Sequence, residues 1–170
     1  LLHLSAFYLL TVGIVASAEQ LDLVIIHTND FHGHIREEKD YAGAARISAF
    51  VQQQRRQNTR VIFLDAGDAI SGTPVSTMFN GLPIFHVLKA MNYVVGLLSN
   101  HEFDHGYKQI EKFREIAKQP LLSANAFDPD GNLIADMATL IVEIEGLSIG
   151  IVGLITDFTP KMITPKGNEN

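Results

Sequence analysis

Leu23-Val24-Ile25-Ile26-His27-Thr28-Asn29-Asp30-Phe31-His32-Gly33-His34 is an apolar run that ends in residues able to bind a metal ion. A continuous Val/Ile/Leu run of this length reads as a strand buried on both faces, the kind found in parallel sheets. Asp30 and His32, two positions apart just beyond it, read as half of a metal site. Taken alone the pair is a weak signal, because solvated turn residues often have this form. The pattern recurs, however. Asp65-Ala66-Gly67-Asp68 follows Val61-Ile62-Phe63-Leu64, and Asn100-His101-Glu102-Phe103-Asp104 follows Val94-Val95-Gly96-Leu97-Leu98.

Open α/β sheets place their sites in the crevice at the carboxyl ends of the strands. Three strand ends that each hand over one or two ligands are therefore expected to converge. Carboxylate, amide-oxygen and imidazole donors suit Mn, Zn, Fe or Mg, and no thiolate is present to select softer chemistry. A carboxylate has two oxygens and can bridge two cations. The combination suggests a dinuclear hydrolase site, with ions about 3.5 to 4 Å apart clamping a phosphoryl group.

The order Asp30-x-His32, Gly67-Asp68, Asn100-His101-Glu102 resembles the calcineurin-like metallophosphoesterases. The fuller wording is His27-Thr28-Asn29-Asp30-Phe31-His32-Gly33-His34, Ala66-Gly67-Asp68, Gly72-Thr73-Pro74 and Asn100-His101-Glu102-Phe103-Asp104. It is similar to the 5'-nucleotidase branch, over about Leu21 to Thr156. The resemblance implies the layered α/β/β/α sandwich of that superfamily, cut after the first sheet and part of the second. It also implies two divalent ions (Zn, Mn, Co or Mg), a nucleotide or other phosphate-ester substrate, and attack on phosphorus by metal-activated hydroxide.

On that resemblance Asp30 and His32 hold the first metal, Asp68 bridges the pair, and Asn100 binds the second through its amide oxygen. Asp65 competes with Asp68 for the bridge, but the family pattern assigns it no metal, and a structural hydrogen bond is expected. His101 is expected to face substrate and to serve the leaving alkoxide, with Asp104 orienting its imidazole. Asp104 also suits the N-cap of a following helix. His34 and His105 match no ligand position and read as surface imidazoles. His27 reads as a strand-end residue, His86 as structural, and Glu102 as a salt-linked or supporting group.

The chain has 170 residues, enough for one domain with a proper core. The family's catalytic domain is longer and is followed by a second, substrate-binding domain, so the expectation is an N-terminal piece of that domain, residues 19–170. Residues 4–15 are apolar and Ala16-Ser17-Ala18 has the small-x-small form of a cleavage site, so residues 1–18 read as a secretory leader lacking its basic start. The competing anchor reading needs about 20 apolar residues, more than are present, so no stable membrane span is expected. Export to the periplasm or the medium follows. Cysteine is absent, which excludes a disulfide scaffold and a Cys nucleophile. A formal charge of -6 offers no basic footprint for a nucleic-acid polymer. Phosphate must be drawn by bound cations instead.

Along the chain, strands are expected at 21–27, 61–64, 94–98 and 121–124. Helices are expected at 43–57, 82–91 and 107–118, with Ala44, Ile47, Phe50 and Val51 inward on the first. Segments 138–144 and 147–154 flank Glu145-Gly146, a two-residue hairpin signal. The tail from Thr156 reads as a loop.

Two positions depart from the family pattern. Ser99 replaces a Gly and is expected to strain a backbone of Gly-only conformation, and Val94 stands where an Asp is usual. The family's later His segments, including Gly-His-x-His, have no counterpart after His105. About half of the metal shell is therefore expected, and the isolated chain is expected to be inactive. Rival readings are a 2',3'-cyclic-nucleotide phosphodiesterase, a nucleotide-sugar hydrolase of the same family, or an exported binding protein without catalysis.

Overall fold

The computed structural model describes residues 20–168; the leader expected at 1–18 lies outside the described residues. Strands β1 (Val24–Thr28), β2 (Val61–Asp65), β3 (Val95–Leu97) and β4 (Leu121–Leu122) form one parallel sheet in the order β1-β2-β3-β4. Thr28 is in register with Asp65, and Asp65 with Gly96, so the loops after β1, β2 and β3 leave the sheet from one edge. The chain is an α/β fold with a parallel sheet, as expected.

Helices connect the strands. Helix α1 (Gly43–Gln57) follows β1, α2 (Pro74–Met78) and α3 (Leu82–Met91) follow β2, and α4 (Gln109–Ala117) follows β3. Phe85 of α3 stacks on Phe113 of α4 at 4.2 Å between ring centroids. Around this pair lie Phe63, Ile84, Leu88, Ile110 and Leu121, all buried. Removal of such side chains from water, about 1.5–3 kcal/mol each, is what holds helices to sheet. Pro83 at the start of α3 and left-handed Asn92 at its end bound that helix as their conformational preferences dictate.

Continuous apolar runs do not all end up buried on both faces. Inner strand β2 is buried almost throughout, whereas β1, at the sheet edge, alternates and leaves Ile25 55% exposed. An edge strand has one neighbour fewer to cover it. Phe50 of α1, expected inward, is likewise exposed, whereas Val51 is buried as expected.

Strands β5 (Thr139–Ile144) and β6 (Leu147–Val152) form the expected antiparallel hairpin, with Glu145 and Gly146 both at positive φ as a two-residue turn requires. Its root joins the parallel sheet through Leu122 and Met137. The tail is not a plain loop: Thr159–Met162 forms a helical turn, α5, and Pro165–Asn168 a 3-10 turn. Pro160 sits in the first turn of α5, where its missing N–H costs nothing. Among the described residues no helix is long and apolar enough to cross a membrane.

Candidate metal centre

The loops that carry the candidate ligands are laced together by hydrogen bonds. Past β1 and β2, Asp30 N–H donates to Gly67 O at 3.1 Å, His32 N–H to Asp68 O at 3.0 Å and Gly33 N–H to Ala69 O at 2.9 Å. The β2 and β3 loops are joined by side chains. His101 N–H donates to Asp68 Oδ1 at 3.0 Å. Asp30, His32, Asp68, Asn100 and His101 are thereby brought to one rim of the sheet.

Glu102 performs most of the joining. It is buried, and its two oxygens accept from Ser99 N–H at 2.9 Å, Asp68 N–H at 3.1 Å and Ala69 N–H at 2.8 Å. Burial raises its pKa, and these amides oppose that rise. No salt link to Glu102 exists among the described residues; it ties the Asp68 loop to the Asn100 loop. Sequence reasoning placed Glu102 beside the site but had no means of finding its three donors.

Backbone strain concentrates here. Asp30, His32 and Asp68 have φ of +51°, +46° and +53°. Left-handed conformation in a residue with Cβ costs on the order of 1–3 kcal/mol and persists where the surroundings impose it. Gly67 is needed for a different reason: at φ +91° a Cβ on it would meet Ser99 Cβ at 2.5 Å. Ser99 itself does not take a left-handed φ. The strain expected at Ser99 is absent, and the steric demand falls on Gly67 instead.

The side chains fit a divalent cation in donor type. His32 Nδ1 lies 3.2 Å from Ile70 O, so Nδ1–H donates there and the Nε2 lone pair is left available. That Nε2 stands 3.6 Å from Asp30 Oδ1, a gap that two ligand bonds of about 2.0–2.2 Å span. Asn100 is 5% exposed. Its amide oxygen is a neutral donor of the hard type that suits a divalent cation. In number the donors fall short: among the described residues no group of three or more His, Cys, Asp or Glu side chains is arranged to hold an ion by itself.

Asp65, 3% exposed, has its pKa pushed up to about 8, first by burial and then by neighbouring Glu102. Its Oδ1 accepts from Thr28 Oγ1 at 2.9 Å, the structural hydrogen bond expected of it.

His101 sits at the rim with its ring edge-on to His32, centroids 4.9 Å apart. Its Nδ1 lies 2.7 Å from Asp104 Oδ2. Burial acts to lower the His101 pKa, but the hydrogen bond and charge of Asp104 outweigh it and the net shift is upward. Asp104 is buried, and although desolvation opposes it, donors from Ser71, His101 and Thr164 hold its pKa below the usual carboxylate value. Asp104 does not cap the next helix: α4 begins only at Gln109, and Asp104 closes the 3-10 turn His101–Phe103. Ser71 and Thr164 were not anticipated. Thr164 is 60 residues away in sequence, and no local signal connects it to the site.

Other imidazoles lie off the rim. His34 is not a surface group but stacks on Tyr41 at 3.4 Å, with Glu38 3.6 Å from its Nδ1. His105 is half-buried, whereas His27 and His86 are exposed.

The chain is similar to known proteins over most of its length. The chain is 35% identical over 168 residues to the 5'-nucleotidase of Mus musculus, an alignment covering 89% of the chain and 29% of that relative. The NAD nucleotidase of Haemophilus influenzae superposes with a TM-score of 0.73 at 31% identity, over 81% of this chain and 27% of that one. A 5'-nucleotidase precursor from Thermus thermophilus gives 0.71 at 30%, over 81% and 29%. The chain thus spans under a third of the length of these relatives. Residues 23–158 match the model of the calcineurin-like phosphoesterases, and the chain belongs to that family.

Proposed function

We propose that this chain serves a metal-dependent phosphoric ester hydrolase acting on nucleoside 5'-monophosphates. The observation that carries the reading is the His101–Asp104 pair, standing at 2.7 Å on the rim where Asp30, His32, Asp68 and Asn100 converge. Asp30, His32, Asp68 and Asn100 would hold two divalent cations (Zn, Mn, Co or Mg), with Asp68 shared between them. When bound, such cations supply positive charge that stabilises a transferring phosphoryl group.

The chain's own groups do the rest. Asp104, acceptor only, takes the His101 Nδ1 proton in a hydrogen bond and fixes the ring, leaving Nε2 on the far side. The raised pKa keeps a proton on Nε2 nearer neutral pH, where it can be given to a departing ribose alkoxide. Glu102 holds the Asp68 and Asn100 loops at fixed spacing, so the rim is organised before substrate arrives.

Relatives named 5'-nucleotidase support the substrate class. The Haemophilus neighbour, named an NAD nucleotidase, favours a second reading in which the scissile bond lies in a diphosphate. Product analysis separates them: AMP releases inorganic phosphate, whereas a dinucleotide releases two mononucleotides. Export by the leader at 1–18 belongs to the same proposal, supported by the Thermus neighbour, which is itself a precursor.

The test uses the whole protein. Chelation should abolish phosphatase activity and Mn or Co should restore it. His101→Ala should leave metal content near native while lowering kcat for AMP by about 10²-fold or more. Aryl phosphates should suffer less, because nitrophenolate leaves without a proton. Activity indifferent to chelation refutes the reading, as does loss of a metal equivalent in His101→Ala with equal damage to both substrates.

A further inference from the structure

Ser71 lies on the loop between β2 and α2, and among the described residues its hydroxyl bonds to Asp104. Its hydroxyl donates to Asp104 Oδ2 at 2.5 Å, the oxygen that also accepts from His101 Nδ1. The other oxygen, Oδ1, accepts from Thr164 N–H at 3.1 Å, and Thr164 Oγ1 donates to the Asp104 carbonyl at 2.7 Å. A carboxylate that is ionised only accepts, so Ser71 and His101 both donate to one atom. Two donors on Oδ2 and one on Oδ1 fix the rotation of the carboxylate plane. That plane in turn sets the direction of the Nδ1–H bond and of the imidazole.

The backbone gives no reason for a hydroxyl at this position. Ser71 has φ of +69°, a left-handed conformation that Gly adopts freely and that a residue with Cβ adopts at a cost. Ser71 N–H donates to the buried Ser76 hydroxyl at 2.9 Å, a bond that any residue other than Pro would make. For folding alone, Gly would do better. What Gly lacks is the bond to Asp104.

We propose that Ser71 is a positioning residue: its hydroxyl holds Asp104, and through it the His101 ring, in the orientation that presents Nε2 to the leaving group. The proposal rests on the hydrolase reading above.

Ser71→Gly, Ser71→Ala and Ser71→Asn in the whole, metal-loaded protein test it. Gly removes hydroxyl and strain together, Ala removes the hydroxyl alone, and Asn keeps a donor on a residue tolerant of left-handed φ. In Gly and Ala, kcat for AMP should fall between about 10- and 100-fold with KM nearly unchanged, while 4-nitrophenyl phosphate loses less. Metal content should stay native, Ser71→Gly should melt no lower than the native protein, and Asn should recover part of the loss. In 15N-histidine-labelled protein the His101 Nδ1–H resonance should shift or broaden in Gly and Ala. Native kcat together with an unmoved resonance in Ser71→Gly overturns the proposal, and so does loss of metal. If the native protein hydrolyses no phosphoric ester with metal supplied, the hydrolase reading falls by itself. The resonance then decides alone: a shift supports the hold on His101, and an unmoved signal refutes it.

Discussion

At the end of inner strand β2, Asp68 is gripped from two sides: its N–H donates to buried Glu102, and its Oδ1 accepts from the His101 main chain. At the end of edge strand β1, Asp30 leaves 59% of its side chain exposed and has only Asn29 as a hydrogen-bonding side-chain neighbour among the described residues. Both strand ends carry the same kind of sequence, an apolar run followed by an Asp in left-handed conformation. What differs is the number of neighbours. An inner strand has loops on both sides to clamp its ligand, whereas an edge strand relies on one. The inner half of the candidate centre is therefore preorganised by buried hydrogen bonds, and the outer half by main-chain contacts with the β2 loop.

Asp68→Ala should give the largest effect. On the proposed assignment it would remove a ligand shared by both ions, and it removes the acceptor for His101 N–H; several kcal/mol of transition-state stabilisation would go with those ions. Activity of the whole protein should fall on the order of 10³-fold or more, with metal content down by more than one equivalent. Retention of both equivalents would remove the distinction between inner and outer halves.

Glu102→Gln comes next and asks whether the clamp is what sets the inner half apart. A carboxamide has one oxygen where the carboxylate has two, so its NH2 must face at least one of the three amide donors, and a buried N–H left unpaired costs about 1–3 kcal/mol. Thermal or urea unfolding should show that loss, and metal titration should show affinity about 10- to 100-fold weaker. His32→Ala, in the outer half, should weaken metal binding with a smaller stability loss, about 0.5–1.5 kcal/mol for the bond to Ile70 O. Equal destabilisation by the two variants would count against the comparison.

The last effect concerns pH, and it grows with the pH range scanned. The Asp65 pKa is about 8 in the folded protein against 3.8 for the free group, so between those values the native state keeps a proton that the unfolded chain releases. Stability of the metal-free protein should accordingly fall as pH rises from about 4 to 8, by at most about 1.4 kcal/mol per unit from this group. Asp65→Asn has no proton to lose and keeps an acceptor for Thr28. Its stability relative to native should rise steadily from pH 5 to pH 8, and a flat difference would show that Asp65 ionises normally.

Much of this protein was legible in its sequence because the signals are local. An apolar run followed by hard donor residues, repeated three times, is enough to read a parallel sheet with those residues gathered at its carboxyl edge. Gly146 marks the hairpin turn because freedom in the left-handed region is a property of glycine itself. Family membership likewise follows from motif order, which survives without coordinates.

Tertiary structure decided whatever depends on neighbours distant in sequence. That β1 lies at the edge, leaving Ile25 bare while β2 is buried, follows from strand order and not from the runs themselves, which look alike. Glu102 as a clamp, Ser71 on Asp104 and Thr164 reaching the same carboxylate from 60 residues away all depend on where loops meet. The conformational demand near the Asn100 loop fell on Gly67 and not on Ser99, because the close approach is between two loops. Sequence determines which groups a chain can offer; hydrogen-bond partners and burial are set only when separate segments pack, since both are properties of the space between them.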